Sequence, residues 1–168
     1  MTDDDMRALA AAVRAVGYDP RVVLQVYNAE SQLDPSVVNP ATHTQGLAQL
    51  APDTLKALGY TGDPLQFHTL GVQGQLPWIQ ALLRSQTAAN GGQVPTTPGR
   101  LMHLQLSPST MGRGTVALVK GEPGYAANAS LDRTGKGFVD EDDLTAFVSA
   151  QAHGPYFAAL EQLARVAA

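Results

Sequence analysis

Apolar residues recur at intervals of three and four over the first sixteen positions, as Met6, Leu9, Ala10, Val13 and Val16. Asp3, Asp4 and Asp5 stand ahead of them, where carboxylates favour the positive end of a helix dipole, and Gly17 follows as a C-cap. The pattern predicts a first helix there. Asp19-Pro20 then reads as a new N-cap with proline at the first helical position, and Val22, Val23, Val26 and Tyr27 carry a second helix to about Glu30. Pro35, Asn39-Pro40 and Gly46 interrupt the chain over roughly fifteen residues, a length at which an irregular loop in a compact domain is usually functional.

Pro52 opens a short predicted helix to Leu58, stopped by Gly59. Residues 70–88 are helical in pattern, with Pro77 expected to start or kink that helix. Asn90-Gly91-Gly92 and the prolines at 95 and 98 read as loop, Ser107-Pro108 as another cap-and-start pair, and 112–124 as irregular. Two short helices are expected at about 141–150 and 155–166. Strand-like alternation is nearly absent, so the class is mostly α, without internal repeats.

Composition narrows the chemistry. With no cysteine among 168 residues, disulfides, thiol nucleophiles and thiolate metal sites are excluded. A formal charge of −4 lacks the basic footprint of a nucleic-acid binder. No apolar run is long enough for a transmembrane helix, so membrane insertion is not expected. The acidic N-terminus does not read as a secretory signal. His43, His68, His103 and His153 have no metal-ligand spacing, and no metal or organic cofactor is expected.

The informative segment runs Tyr27-Asn28-Ala29-Glu30-Ser31 to Pro35, then Gln45-Gly46-Leu47-Ala48-Gln49-Leu50-Ala51-Pro52-Asp53-Thr54. Glu30 ends an apolar helix and faces the long loop, a position that half-desolvates a carboxylate and raises its pKa. A glutamate raised to about 6 is still roughly one-tenth protonated at pH 7, enough for a general acid. Gln45 and Gln49 offer uncharged amides suited to a neutral, N-acetylated sugar. Asp34 reads as the cap of the turn at Pro35, with a second-carboxylate role as the alternative. Tyr27, three residues before Glu30 on its helix, is either a sugar-stacking residue or core. The same choice is open for Trp78, with core favoured.

Glu30-Ser31, Pro35, Gly46-Leu47-Ala48-Gln49, Pro52 and Thr54 together resemble the Glu-Ser and Gly-Leu-Met-Gln motifs of the soluble lytic transglycosylase (SLT) domain, related to goose-type lysozyme, with Ala48 in place of Met. Gln75-Leu76-Pro77-Trp78, Leu106-Ser107-Pro108 and Gly124 to Asp132 resemble versions found in phage tail and virion-associated murein enzymes. The resemblance implies a lysozyme-like helical domain over 1–125, with a C-terminal helical appendage over 126–168 packed on it. It implies a lytic transglycosylase that cleaves the MurNAc–GlcNAc β-1,4 bond of peptidoglycan, with Glu30 as acid and then base. Ser31 would hydrogen-bond near the catalytic carboxylate or the N-acetyl group, Gln49 would line the sugar site, and Tyr125 and Asn128 would stand for the family's later Tyr-Asn motif. Gln45 and Tyr27 are expected as further substrate contacts from their own chemistry and spacing. Location in a phage tail, action in the bacterial periplasm and cell wall, and association with other virion proteins follow from the same resemblance. Simple hydrolysis as a muramidase, and an inactive wall-binding virion module, are the alternatives.

Asp132 to Asp143 has the outline of a calcium-binding loop, but Lys136 stands where the fifth-position oxygen ligand belongs. A metal-free structural turn is the reading.

Overall fold

The computed structural model describes residues 1–167. The first helix, α1 (Asp3–Arg14), opens under a reciprocal cap in which the Thr2 hydroxyl accepts from the Asp5 backbone N–H and the Asp5 carboxylate from that of Thr2. Helix α2 (Pro20–Ser31) starts at Asp19, whose carboxylate accepts from the Arg21 N–H. Helix α3 (Pro52–Ala57) and a 3₁₀ segment (Pro64–Leu70) lead into α4 (Gly71–Ala89). Pro77 lies inside α4 rather than at its start, so the helix tolerates one missing backbone donor.

Helix α5 (Pro98–Leu106) occupies a stretch whose prolines read as loop. Thr97 caps it, its hydroxyl accepting from the Arg100 N–H, and Pro98 takes the first turn, where it costs no hydrogen bond. Strands β1 (Val116–Val119) and β2 (Phe138–Asp140) form an antiparallel pair with an irregularity between Val116 and Leu118. The first of them falls where an irregular segment is expected. Such short strands carry too few alternations to be read from pattern alone. Helices α6 (Glu141–Ala150) and α7 (Pro155–Ala167) complete the described chain.

One apolar core runs through all these elements. Met6, Leu9, Val23, Leu24, Ile79, Leu83 and Leu101 join Val139, Leu144 and Val148 in a single cluster, so α6 is part of the same body as α1 to α5. Helices α5 and α6 approach closely at Gly99, where a Cβ would collide with the Glu141 carbonyl and the Thr145 hydroxyl. Beside that contact, Glu141 Oε1 lies 2.6 Å from an Arg100 guanidinium nitrogen and 3.0 Å from Nδ1 of the buried His103. The other ring nitrogen of His103 is 2.9 Å from the Thr110 hydroxyl. This polar cross-link fixes α5, which also walls the candidate site through Met102, Gln105 and Leu106.

Candidate active site

The segment 32–51 is irregular in outline but tightly bonded. Gln45 and Leu50 exchange backbone hydrogen bonds at 3.0 and 2.9 Å, closing a compact turn, and the Gly46 N–H donates to the Val37 carbonyl at 2.9 Å. Gln75 of α4 is fully buried beneath it. Its Oε1 accepts from the Leu47 N–H at 3.0 Å and its Nε2 donates to the Pro35 carbonyl at 2.8 Å, so one side chain holds both arms of the loop. Gly46 has φ +76°, and a Cβ there would press on the Gln75 carboxamide, which accounts for glycine at this point.

This loop, α3, α4 and α5 enclose a groove of about 260 Å³ at the C-terminal end of α2. Glu30 lies at its edge. Thr44, Ala48, Gln49, Leu50, Ala51 and Thr54 line one side. Leu82, Met102, Gln105 and Leu106 line the other. Among the described residues Glu30 is the one acid in the lining. Burial against these apolar walls raises its carboxyl to about 7, and no hydrogen bond or ion pair with a described residue opposes that shift. The site therefore holds a carboxylic acid able to give up a proton near neutrality and take it back.

The other site residues expected from sequence divide into two groups. Gln49 lines the groove, but its carboxamide is spent on the loop. It accepts from the Thr44 hydroxyl at 2.9 Å and donates to the Gly46 carbonyl at 3.0 Å, holding a left-handed backbone at φ 45°. Ser31 is buried, its hydroxyl 3.0 Å from both the Tyr27 and Leu47 carbonyls, so it clasps α2 to the loop and lies outside the groove lining. Gln45 is buried as well, donating to the Pro64 carbonyl and accepting from His68. Tyr27 is core, with its hydroxyl buried and its ionisation pushed up by that burial. Trp78 packs edge-on against Tyr60 with ring centroids 5.1 Å apart.

Tyr125 and Asn128 lie outside the groove lining. The Tyr125 hydroxyl donates to Asp132 at 2.7 Å, bracing the loop that follows, and Asn128 donates back to the Gly124 carbonyl. In that loop the Lys136 ammonium is 2.6 Å from Asp140 and 2.9 Å from Asp143, filling the place of a cation with one tethered to the chain. Asp34 is exposed and caps its turn, accepting from the backbone and hydroxyl of Ser36, and these bonds lower its carboxyl below the usual range.

Sequence reasoning missed the whole α5 wall, Met102, Gln105 and Leu106. The Thr97-Pro98 cap was the signal that could have found it. A larger depression of about 530 Å³ lies between the α1–α2 corner and α7, lined by Arg14, Arg21 and Leu160 among others. Among the described residues its one carboxylate, Asp19, caps α2 and sits 3.9 Å from Arg21, so the depression offers no desolvated, unpartnered acid like Glu30.

Residues 8–70 match the family model of the transglycosylase SLT domain. The match takes in Glu30, the loop and Gln49, and ends with the 3₁₀ segment before α4. The mostly helical architecture agrees with the lysozyme-like fold of that domain. Searches of the curated proteins and of the solved structures give no match.

Proposed function

We propose that the chain is a peptidoglycan lytic transglycosylase in which Glu30 acts first as acid and then as base. The glycan strand lies in the groove, and the protonated Glu30 carboxyl donates to the glycosidic oxygen of the MurNAc–GlcNAc bond. The muramoyl 6-hydroxyl then attacks the anomeric carbon as the carboxylate recovers its proton, giving a 1,6-anhydro end. The observation that carries this reading is a lone, desolvated acid in a groove within the SLT-matching segment. Two-carboxylate glycosidases need a second acid to activate water or to form a covalent intermediate. Asp34, the nearest sequence alternative, is committed to its own turn, which favours attack by a hydroxyl that the substrate carries.

The finer reading is a virion-associated enzyme, carried in a phage tail with other virion proteins and opening the wall locally, within the periplasm and cell wall, during DNA entry. Its support is the likeness of 75–78, 106–108 and 124–132 to such enzymes.

Mass spectrometry of fragments released from purified sacculi tests the proposal. Muropeptides lighter by one water than hydrolytic products are expected, and release should vanish in Glu30→Gln. Hydrated reducing ends would make the protein a muramidase instead. Sacculus binding without release would make it a wall-binding module.

A further inference from the structure

Near its end helix α2 buries two polar side chains, Asn28 and Ser31, beside Leu24, Val26 and Tyr27. Ser31 is bonded to the loop that follows. Asn28 is bonded to a distant part of the chain: its Nδ2 donates to the Gln151 carbonyl at 2.6 Å, in the turn between α6 and α7. That carbonyl also accepts from the His153 N–H at 2.9 Å, so the turn is itself closed. Gln25, one turn earlier on the same face of α2, reaches the Ser149 hydroxyl of α6 at 3.5 Å. Just past Ser31, Gln32 and Leu33 hold left-handed backbone at φ 54° and 61°. Residues other than glycine keep that conformation only where their surroundings over-determine it. Leu33 is buried and shares a depression with Pro155, Ala158 and Ala159 of α7. The C-terminal helices thus grip α2 on both sides of Glu30 in sequence.

Asn28 lies outside the groove lining, and Glu30 is two residues on, about 160° round the helix at about 100° per residue. The bond to Gln151 therefore sits on the side of α2 away from the acid, where it fixes how the last turn is rotated. Leucine at this position would bury more apolar surface without needing a partner, and asparagine is the poorer helix former. An apolar contact has no preferred direction, whereas a hydrogen bond does, and direction is what asparagine adds here. We propose that Asn28 is a positioning residue: through Gln151 it sets the rotation of the last turn of α2, and so where the Glu30 carboxyl meets the glycan. Helices α6 and α7, which lie beyond the segment matched at 8–70, are thereby part of what places the acid. The inference rests on the reading of Glu30 as the acid, proposed above.

Release of soluble fragments from purified sacculi, followed against sacculus concentration, provides the test. The proteins compared are the wild type, Asn28→Leu, Asn28→Ala and Val13→Ala, a truncation on the buried face of α1. Each is assayed at the same interval below its own melting temperature, and the alanine variant at 28 serves if leucine does not fit. A misplacement of about 1 Å costs on the order of 100-fold in rate, so the maximal rate should fall at least about tenfold in the Asn28 variants. The half-saturating concentration should stay within about twofold, since Asn28 does not line the groove. Val13→Ala should lose stability and keep its maximal rate. Asn28 variants that lose no more rate than Val13→Ala, or that raise the half-saturating concentration at an unchanged maximal rate, overturn the inference while the wild type remains active. A wild type that releases nothing refutes the catalytic reading, and this inference with it.

Discussion

The hydroxyl of Ser31 lies 3.0 Å from the carbonyl of Leu47, and Ser31 is the residue that follows Glu30. The acid is thus held in place by its neighbour's bond to the opposite side of the loop. This gives the Glu-Ser pair a mechanical role: serine fixes where the end of α2 meets the turn at 45–50.

Ser31→Ala should therefore cost about 1–2 kcal/mol of stability, the worth of a buried hydrogen bond plus the carbonyl left behind. Turnover should fall several-fold while the basic limb of the pH–rate profile stays where it was, because burial and not Ser31 raises Glu30. Thermal melts paired with a pH profile check both parts.

Gln75→Leu removes the partner of the Leu47 N–H and of the Pro35 carbonyl together. A loss of about 2–3 kcal/mol is expected, since one buried and one partly buried backbone group are left unpaired. Gly46→Ala should act in the same direction, through strain at φ +76° and pressure on Gln75. Denaturant melts measure both, and far-ultraviolet dichroism should show the helices retained.

Glu30 ties stability to pH with a definite sign. Its folded value, about 7, is above the ordinary 4.5, so the folded state holds a proton that the unfolded state has released. The stabilisation is complete below the unfolded value and is lost as pH rises through the folded one. Across pH 4.5 to 7 the wild type should lose about 3 kcal/mol relative to Glu30→Gln. Melting curves of the two proteins should coincide near pH 4, and the variant should be the more stable at pH 8.

The Lys136 ammonium between Asp140 and Asp143 makes the 132–143 loop independent of added cation. Calcium and a chelator should each leave the melting temperature of the wild type unchanged. Lys136→Met, which leaves the two carboxylates facing each other, should lower it at neutral pH.

Much of this arrangement was legible in the chain. The helix caps at Asp19-Pro20 and Pro52, the periodicity of α1 and the long loop after Glu30 are local signals, and they placed the acid at a groove. Helix α5 was not legible, because Pro95 and Pro98 read as breakers although Thr97-Pro98 is a cap and a first turn. With α5 went Met102, Gln105 and Leu106, the wall opposite the loop. The hydrogen bonds of Ser31, Gln45 and Gln49 were not legible for a related reason. Polar residues near a candidate acid suggest ligand contact, whereas here Ser31 and Gln49 pair with groups of the loop and Gln45 with Pro64 and His68 of the 3₁₀ segment, partners that only the folded chain brings within reach.

The claim on which the enzyme reading turns is that the groove keeps the Glu30 carboxyl protonated to near neutrality. Carbon-detected NMR titration of the glutamate side-chain carboxyls, with Glu30 assigned by its loss in Glu30→Gln, measures this directly. A midpoint near 7 is the expected result. A midpoint near 4.5 would mean an acid already spent at neutral pH, and would contradict it.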